Sequence, residues 1–339
     1  ALQLEPGESY TLYLKALLLI QQNQTEGAMR LLEAAIRNEP DLAPAHFHLA
    51  RLLAAQGRLD DAVAEYGQCL RFEPDTPDGH YNLANALMSQ GKLAEAAAQY
   101  RESLRLDPDS PDAHNNLGAV LVRLGYLDEA VAQFQAVLKL NPNSPEAEDQ
   151  LGGALQKLGQ LEAARTHYAA ALRLNPKLGH AQLKLGSLMA QEGQFEGAQI
   201  QLTQVTDREP TNDVAWYNLA GTYAAQGRWE EAARTFGKVI ELKPRDAQAR
   251  ARLGEVLAQE GKWDKAIAAY EQAAVLTGRR NPSVLAALDQ AYAQSGRFDE
   301  AIQTAQAVKE LAGALKQPAA AEAAARRLEF YRVGKPFRE

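Results

Sequence analysis

The chain has 339 residues, of which 46% are hydrophobic and 23% charged, and it carries a net charge of -7. That balance describes an ordinary folded chain and excludes the collagen-like, disordered and strongly basic classes. An acidic chain lacks the clustered Lys and Arg with which nucleic-acid proteins track phosphates, so no nucleic acid is expected as a partner.

Prolines set the frame for the whole chain. Pro6, Pro40, Pro74, Pro108, Pro142, Pro176, Pro210 and Pro244 are each 34 residues apart. Placing them at place 32 of a 34-residue unit puts unit starts at 9, 43, 77, 111, 145, 179, 213 and 247, with a ninth at 282. Residues 1–8 are then the remnant of a preceding repeat, since ALQLEP at 1–6 matches ALRLNP at 171–176. A piece of a longer protein is expected on that ground. The run ALLLI at 16–20 falls well short of the ~20 residues a bilayer span needs, and no basic-then-apolar signal precedes it. No membrane contact by this segment is expected.

Each unit splits at one residue: Asn23, Gly57, Gly91, Gly125, Gly159, Gly193, Gly227 or Gly261. These residues tolerate the left-handed conformation that ends a helix. A first helix precedes the stop, with apolar residues such as Leu83 and Leu87 at places 7 and 11. A second helix follows, and the proline at place 32 ends it. The second helix carries a small residue at place 20, from Ala28 through Ala62, Ala96, Ala130, Ala164, Ala198, Ala232 and Ala266 to Ala301. Four places on stands a large one: Leu32, Tyr66, Tyr100, Phe134, Tyr168, Leu202, Phe236 and Tyr270, with Ala305 breaking the row.

This pattern resembles the tetratricopeptide repeat over residues 9–314. The resemblance implies an all-α fold, a right-handed superhelix of nine helical hairpins. The alanine marks where the two helices of a hairpin cross, and the aromatic is expected to fill the gap to the next hairpin. Residues 315–339 read as a C-terminal capping helix and tail. Pro318 suits a first helical turn, and Ala324, Leu328 and Tyr331 are expected to face the last hairpin while Arg326 and Arg327 face water. The closing RRLEFYRVGKPFRE is similar to the ends of large bacterial membrane proteins of O-mannosyltransferase-like type. That resemblance implies an exported or lumenal array in a glycosylation-related protein, and the compartment is otherwise open.

Catalytic chemistry finds no foothold. His46, His80 and His114 share place 4, but hairpins stack at roughly 8–10 Å, whereas the ligands of one zinc lie within ~2.1 Å of it. They are expected to fill the packing site that Trp216 fills in the seventh unit. Asp78, Asp112 and Glu146 share place 2 as an acidic row and do not converge as an acid/base pair. No phosphate loop, nucleophile elbow or HExxH motif appears. Cys69, the only cysteine, permits no internal disulfide and is expected in the core. NQT at 23–25 fits the N-glycosylation acceptor pattern. No cofactor, no metal and no enzymatic activity are expected.

What remains is the groove that, by the family resemblance, the first helices line at places 2, 5, 6, 9 and 12. Place 5 holds Tyr13, Phe47, Tyr81 and Tyr217, and place 6 holds Asn82, Asn116 and Asn218, with Arg51 and Asn85 at place 9. Rings offer contact area at low entropy cost, and an Asn amide both donates to and accepts from an extended backbone. The row resembles the asparagine ladder in the repeat region of O-linked N-acetylglucosamine transferase, interrupted here by His48, Gln150, Lys184 and Arg252. The expected function is a non-catalytic scaffold that binds an extended peptide or protein segment. Packing between neighbouring first helices is the alternative use of the same residues. Two other functions stay open: end-to-end self-association through the N-terminal end, where Tyr10, Leu14 and Leu17 would be left in water, and an accessory region of a membrane glycosyltransferase.

Overall fold

The computed structural model describes residues 6–337. Among them every regular element is an α-helix, and the helices fall into two compact groups, one reaching to Leu178 and the other beginning at Gly179. The first group holds α1 (Pro6–Gln21) paired with α2 (Thr25–Asn38), α3 (Ala43–Ala55) with α4 (Leu59–Phe72), and α5 (Pro77–Ser89) with α6 (Leu93–Leu106). It closes with α7 (Pro111–Leu124) against α8 (Leu127–Leu140) and α9 (Pro145–Lys157) against α10 (Leu161–Leu174). The second group pairs α11 (Gly179–Gln191) with α12 (Phe195–Arg208), α13 (Asp213–Ala225) with α14 (Trp229–Leu242), and α15 (Ala247–Gln259) with α16 (Trp263–Leu276). The last hairpin, α17 (Pro282–Gln294) and α18 (Phe298–Ala314), is followed by α19 (Pro318–Arg332).

The remnant expected at 1–8 lies largely outside the described residues. Pro6 begins α1, and a first turn has no use for the N–H that proline lacks. Elsewhere the stops behave as their chemistry dictates. Gly125 has φ 86° and Asn23 φ 58°, both left-handed. The starts of several first helices are capped by side chains: Ser110, Ser144, Asn212 and Asp246 accept the N–H of Ala113, Ala147, Ala215 and Ala249.

The core follows the 34-residue frame. The nine alanines of place 20 expose no surface, and the large residues of place 24 are buried with them. The rings pack first inside their own hairpin. A Cβ on Gly118 would meet the Phe134 ring at 2.7 Å, and one on Gly152 would meet Tyr168 at 2.9 Å. To the expected filling of the gap to the next hairpin, the structure adds this packing within the hairpin. Phe236 does both, sharing one apolar cluster with Ala220 of its own hairpin and with Ala249 and Val256 of the next. Within each group, successive first helices touch (α3 with α5, α7 with α9, α11 with α13, α15 with α17), and successive second helices do so less. The first helices thus share one face.

The closing helix differs from expectation at one residue. Ala324, Leu328 and Tyr331 are buried and Arg326 is exposed, but Arg327 is buried as well. It is drawn in by Asp289 of α17, a carboxylate with no exposed surface. Burial pushes the Asp289 carboxyl up to about 6, against the opposing pull of Arg327 and the Tyr331 hydroxyl.

Candidate functional site

In the first group of helices, the groove residues largely satisfy one another. Tyr13 is buried, its ring 5.6 Å from Tyr10 and 5.8 Å from His48, and burial raises its hydroxyl pKa. Phe47 meets Tyr66 edge-on at 5.9 Å, with the Arg51 guanidinium 5.8 Å from its centroid. Asn116 of α7 donates from Nδ2 to the Tyr81 hydroxyl and to Asn85 Oδ1 of α5, both at 3.1 Å. Tyr100 donates to the same Asn85 oxygen, and its ring lies 5.9 Å from that of Tyr81. Asn82 turns back on its own helix and donates to the Asp78 carbonyl at 2.7 Å. In the second group, Tyr217 meets Phe236 at 5.5 Å and Asn218 donates to Ser187 Oγ at 2.8 Å. The structure therefore joins Tyr81, Asn85 and Asn116 in one hydrogen-bonded set and places the Arg51 guanidinium over the Phe47 ring. Tyr217 and Asn218 belong to the second group, each with partners of its own there.

The place-4 histidines have a single repeated task. Nε2 of His46, His80 and His114 lies 2.9, 2.8 and 3.0 Å from the carbonyl oxygen of Pro40, Pro74 and Pro108. Trp216 Nε1 donates to Pro210 and Arg250 Nη2 to Pro244 in the same way, at 2.9 and 2.8 Å. Each pins a connecting loop to the next first helix. Cys69 is buried, and desolvation lifts its thiol to about 11, which leaves it protonated and unreactive. Among the described residues no group of three or more His, Cys, Asp or Glu could hold a metal ion, and no helix is long and apolar enough to cross a membrane.

Open space lies elsewhere on the first-helix face. A cavity of about 520 Å³ is bounded by Gln248 and Ala251 of α15, by Gln290 and Gln294 of α17, and by Trp263 and Tyr270 of α16. Beside it a second, of about 360 Å³, is floored by Gly221 and Ala224 of α13 with Trp229 and Phe236 of α14. Arg252, Glu255 and Gln259 wall both. Arg252 Nη1 and Glu255 Oε2 are 2.7 Å apart, so this wall is charge-neutral. The sequence contains the signal for this space in its missing bulk. Place 5 falls from Tyr217 to Ala251 and Ala286, and Gly221 stands at place 9 where Arg51 and Asn85 stand earlier. A search for aromatic rows passes over such gaps.

A stack of helical hairpins with an open first-helix face is the architecture of a repeat scaffold for protein interaction. Family models described as TPR repeat or tetratricopeptide repeat match residues 10–41, 50–91, 84–125, 111–144, 155–219, 189–256, 223–275 and 284–319. The chain belongs to the tetratricopeptide repeat family. No curated protein matches it. Among solved structures, the C-terminal part of a TPR repeat-containing protein from Cytophaga hutchinsonii is 20% identical over 73% of this chain and 93% of its own, with a TM-score of 0.53. PilF from Pseudomonas aeruginosa is 22% identical over 62% of this chain and 95% of its own, with a TM-score of 0.52. Both share the fold. YrrB, described as a TPR protein with an unusual peptide-binding site, is 28% identical over 54% of this chain and 95% of its own, with a TM-score of 0.48, a superposition too loose to transfer a site.

Proposed function

We propose that the chain is a non-catalytic scaffold that holds an extended segment of another protein along the face made by its first helices. The observation that carries this reading is the pair of adjoining cavities on α13, α15 and α17. They are lined by groove positions, and their floors are aromatic. Apolar floors with a few polar groups at the rim suit side-chain anchors of a partner. The groove residues Tyr81, Asn85 and Asn116 support it from the first group as a preformed amide and hydroxyl surface, half-buried and rigid. The test is selection of binders from a displayed random-peptide library on the whole chain, followed by Ala251→Tyr, which puts the ring of Tyr217's place into the larger cavity. Binders that lose affinity with this variant are expected. Selected binders indifferent to Ala251→Tyr would overturn the reading.

Self-association is a second reading, favoured by one observation. Tyr10, Leu14 and Leu18 of α1 are 52%, 45% and 57% exposed, whereas Leu17 is only half-exposed and Tyr13 is buried. Sedimentation across a concentration series, with Leu14→Lys and Leu18→Lys in parallel, tests it: association that persists in both variants would sink it.

A further inference from the structure

Resting on the groove reading above, we infer that the twin cavities on α13 to α17 receive a proline-rich segment in the polyproline II conformation. Four features of the site select that ligand.

The first is unused donors. Tyr270 is 95% buried by its 5% exposure and lines the larger cavity, yet among the described residues its hydroxyl has no hydrogen-bond partner. At the same ring position Tyr100 donates to Asn85 and Tyr168 to Gln156, whereas Tyr66, which lines neither cavity, makes no such bond among the described residues. The indole N–H groups of Trp229 and Trp263 likewise have no partner among the described residues, although Trp216 has one. A polyproline II helix makes no internal hydrogen bonds, so all its carbonyls are available to such donors. An α-helical ligand satisfies its own carbonyls and would leave these donors idle.

The second is the aromatic ladder. Place 17 holds Phe195, Trp229, Trp263 and Phe298 in the last four hairpins, but Leu59, Leu93, Leu127 and Leu161 in the four before them. Trp229 and Trp263 reach the two cavities. Broad rings with a polar edge are the surface on which proline rings stack.

The third is spacing. Polyproline II rises 3.1 Å per residue with three residues per turn, so one face repeats every ~9.3 Å. Adjacent packed helices are roughly 8–10 Å apart, so one turn of ligand spans one hairpin. A β-strand repeats its face at ~6.6–6.8 Å and drifts out of register with the cavities.

The fourth is charge. Arg252 and Glu255 neutralise each other, and the remaining polar rim is uncharged, Ser283 with glutamines that include Gln248, Gln290 and Gln294. A neutral backbone is a better match to that rim than an acidic or basic motif.

The experiment titrates the full chain with a fluorescein-labelled peptide of repeated Pro-Pro-Leu and with an isomeric-length Ala-Ala-Leu control, read by anisotropy and by tryptophan emission. The proline peptide is expected to bind at least ~tenfold more tightly than the control, the scale of one well-placed anchor. Trp229→Leu with Trp263→Leu, which installs the residue used at that place in four other hairpins, is expected to cost a further tenfold or more at unchanged helicity. Tyr270→Phe, which removes only the hydroxyl, is expected to weaken binding several-fold. Equal binding of the two peptides, no binding of the proline peptide, or indifference to the Leu variant would overturn the inference. Library binders sensitive to Ala251→Tyr but lacking proline would leave the groove reading standing while ending this one.

Discussion

The Arg327 guanidinium grips the Asp289 carboxylate through two parallel hydrogen bonds, Nε to Oδ1 at 2.9 Å and Nη2 to Oδ2 at 3.0 Å, and Tyr331 adds a third to Oδ1 at 2.8 Å. This set fastens α19 to α17. Removing one partner of a buried pair strands the other, at a cost of about 3–5 kcal/mol. Arg327→Met is therefore expected to lower the melting temperature and to expose α19 amides to hydrogen exchange. The double variant with Asp289→Leu should regain part of the loss, because neither charge is then buried alone. A double variant no better than the single would show that the pair stabilises by more than mutual neutralisation.

The pH dependence of Asp289 has the opposite sign to that of a surface carboxylate. Its folded pKa of about 6 lies above the ~3.9 of an unfolded Asp. The folded state therefore holds the proton over that interval. The contribution of Asp289 to stability is full below about pH 4 and is lost as pH rises through about 6. A carbon NMR titration should place the Asp289 midpoint near 6. A midpoint at or below 4 would mean that the Arg327 charge outweighs burial.

His46 and His48, two residues apart, should titrate on opposite sides of the ordinary imidazole value. Burial lowers His46, but the hydrogen bond from Nδ1 to Glu65 at 2.6 Å, the Pro40 carbonyl at Nε2 and the Glu65 charge leave it raised. Burial, then the Arg51 charge, lowers His48. The His46 contribution is present below pH ~6.5 and lost as pH rises through its folded value; His48 instead weakens the fold as pH falls below ~6.5. In the intact chain the two offset each other. His48→Asn, the residue at that place in the next two units, should reveal stability that increases from pH 8 to pH 6. Denaturation midpoints at the two pH values decide it, and a flat profile would refute the assignment of His46.

The hairpin frame was legible because proline at place 32, a small residue at place 20 and a large one at place 24 recur along the chain. The fold adds a rule for the first eight hairpins, a small residue at place 8 matched to the large one at place 24. Ala16, Ala50, Ala84, Gly118, Gly152, Gly186, Ala220 and Gly254 all obey it. The last hairpin inverts the rule, with Asp289 at the small place and Ala305 at the large one, and Arg327 and Tyr331 of α19 meet the displaced carboxylate. The lone break at Ala305 was visible in the sequence, but its meaning was not, because the compensating residues lie outside the period. The groove residues were legible as a face and not as a site. Asn116 fits an asparagine row, yet only the fold shows that Tyr81 and Asn85 already occupy its amide.

Glycine-to-alanine substitution should change sign between two helices of this chain, according to what the new methyl meets. In mid-helix, alanine is favoured over glycine by about 1 kcal/mol, because the unfolded chain has less freedom to lose. At Gly237 in α14 nothing lies within 4 Å of the added Cβ, so Gly237→Ala should deliver most of that gain. At Gly152 in α9 the Cβ would stand 2.9 Å from the Tyr168 ring and 3.2 Å from the Ala164 carbonyl. Tyr168 has no exposed surface, and its hydroxyl is held by Gln156 at 2.9 Å, so the ring has little room to withdraw. Overpacking of this kind costs typically 1–3 kcal/mol, which exceeds the propensity gain. Gly152→Ala should therefore destabilise by about 1 kcal/mol or more while Gly237→Ala stabilises, both read from chemical denaturation with an unchanged slope. Ala50 and Ala84 stand at the same place in the hairpins of Tyr66 and Tyr100, so an alanine there is compatible with the fold where the ring is seated to receive it. Adding Gln156→Ala to Gly152→Ala should release the ring and shrink the penalty. A penalty that stays the same after that release would move the obstruction to the Ala164 carbonyl, a backbone atom that no side-chain change relieves.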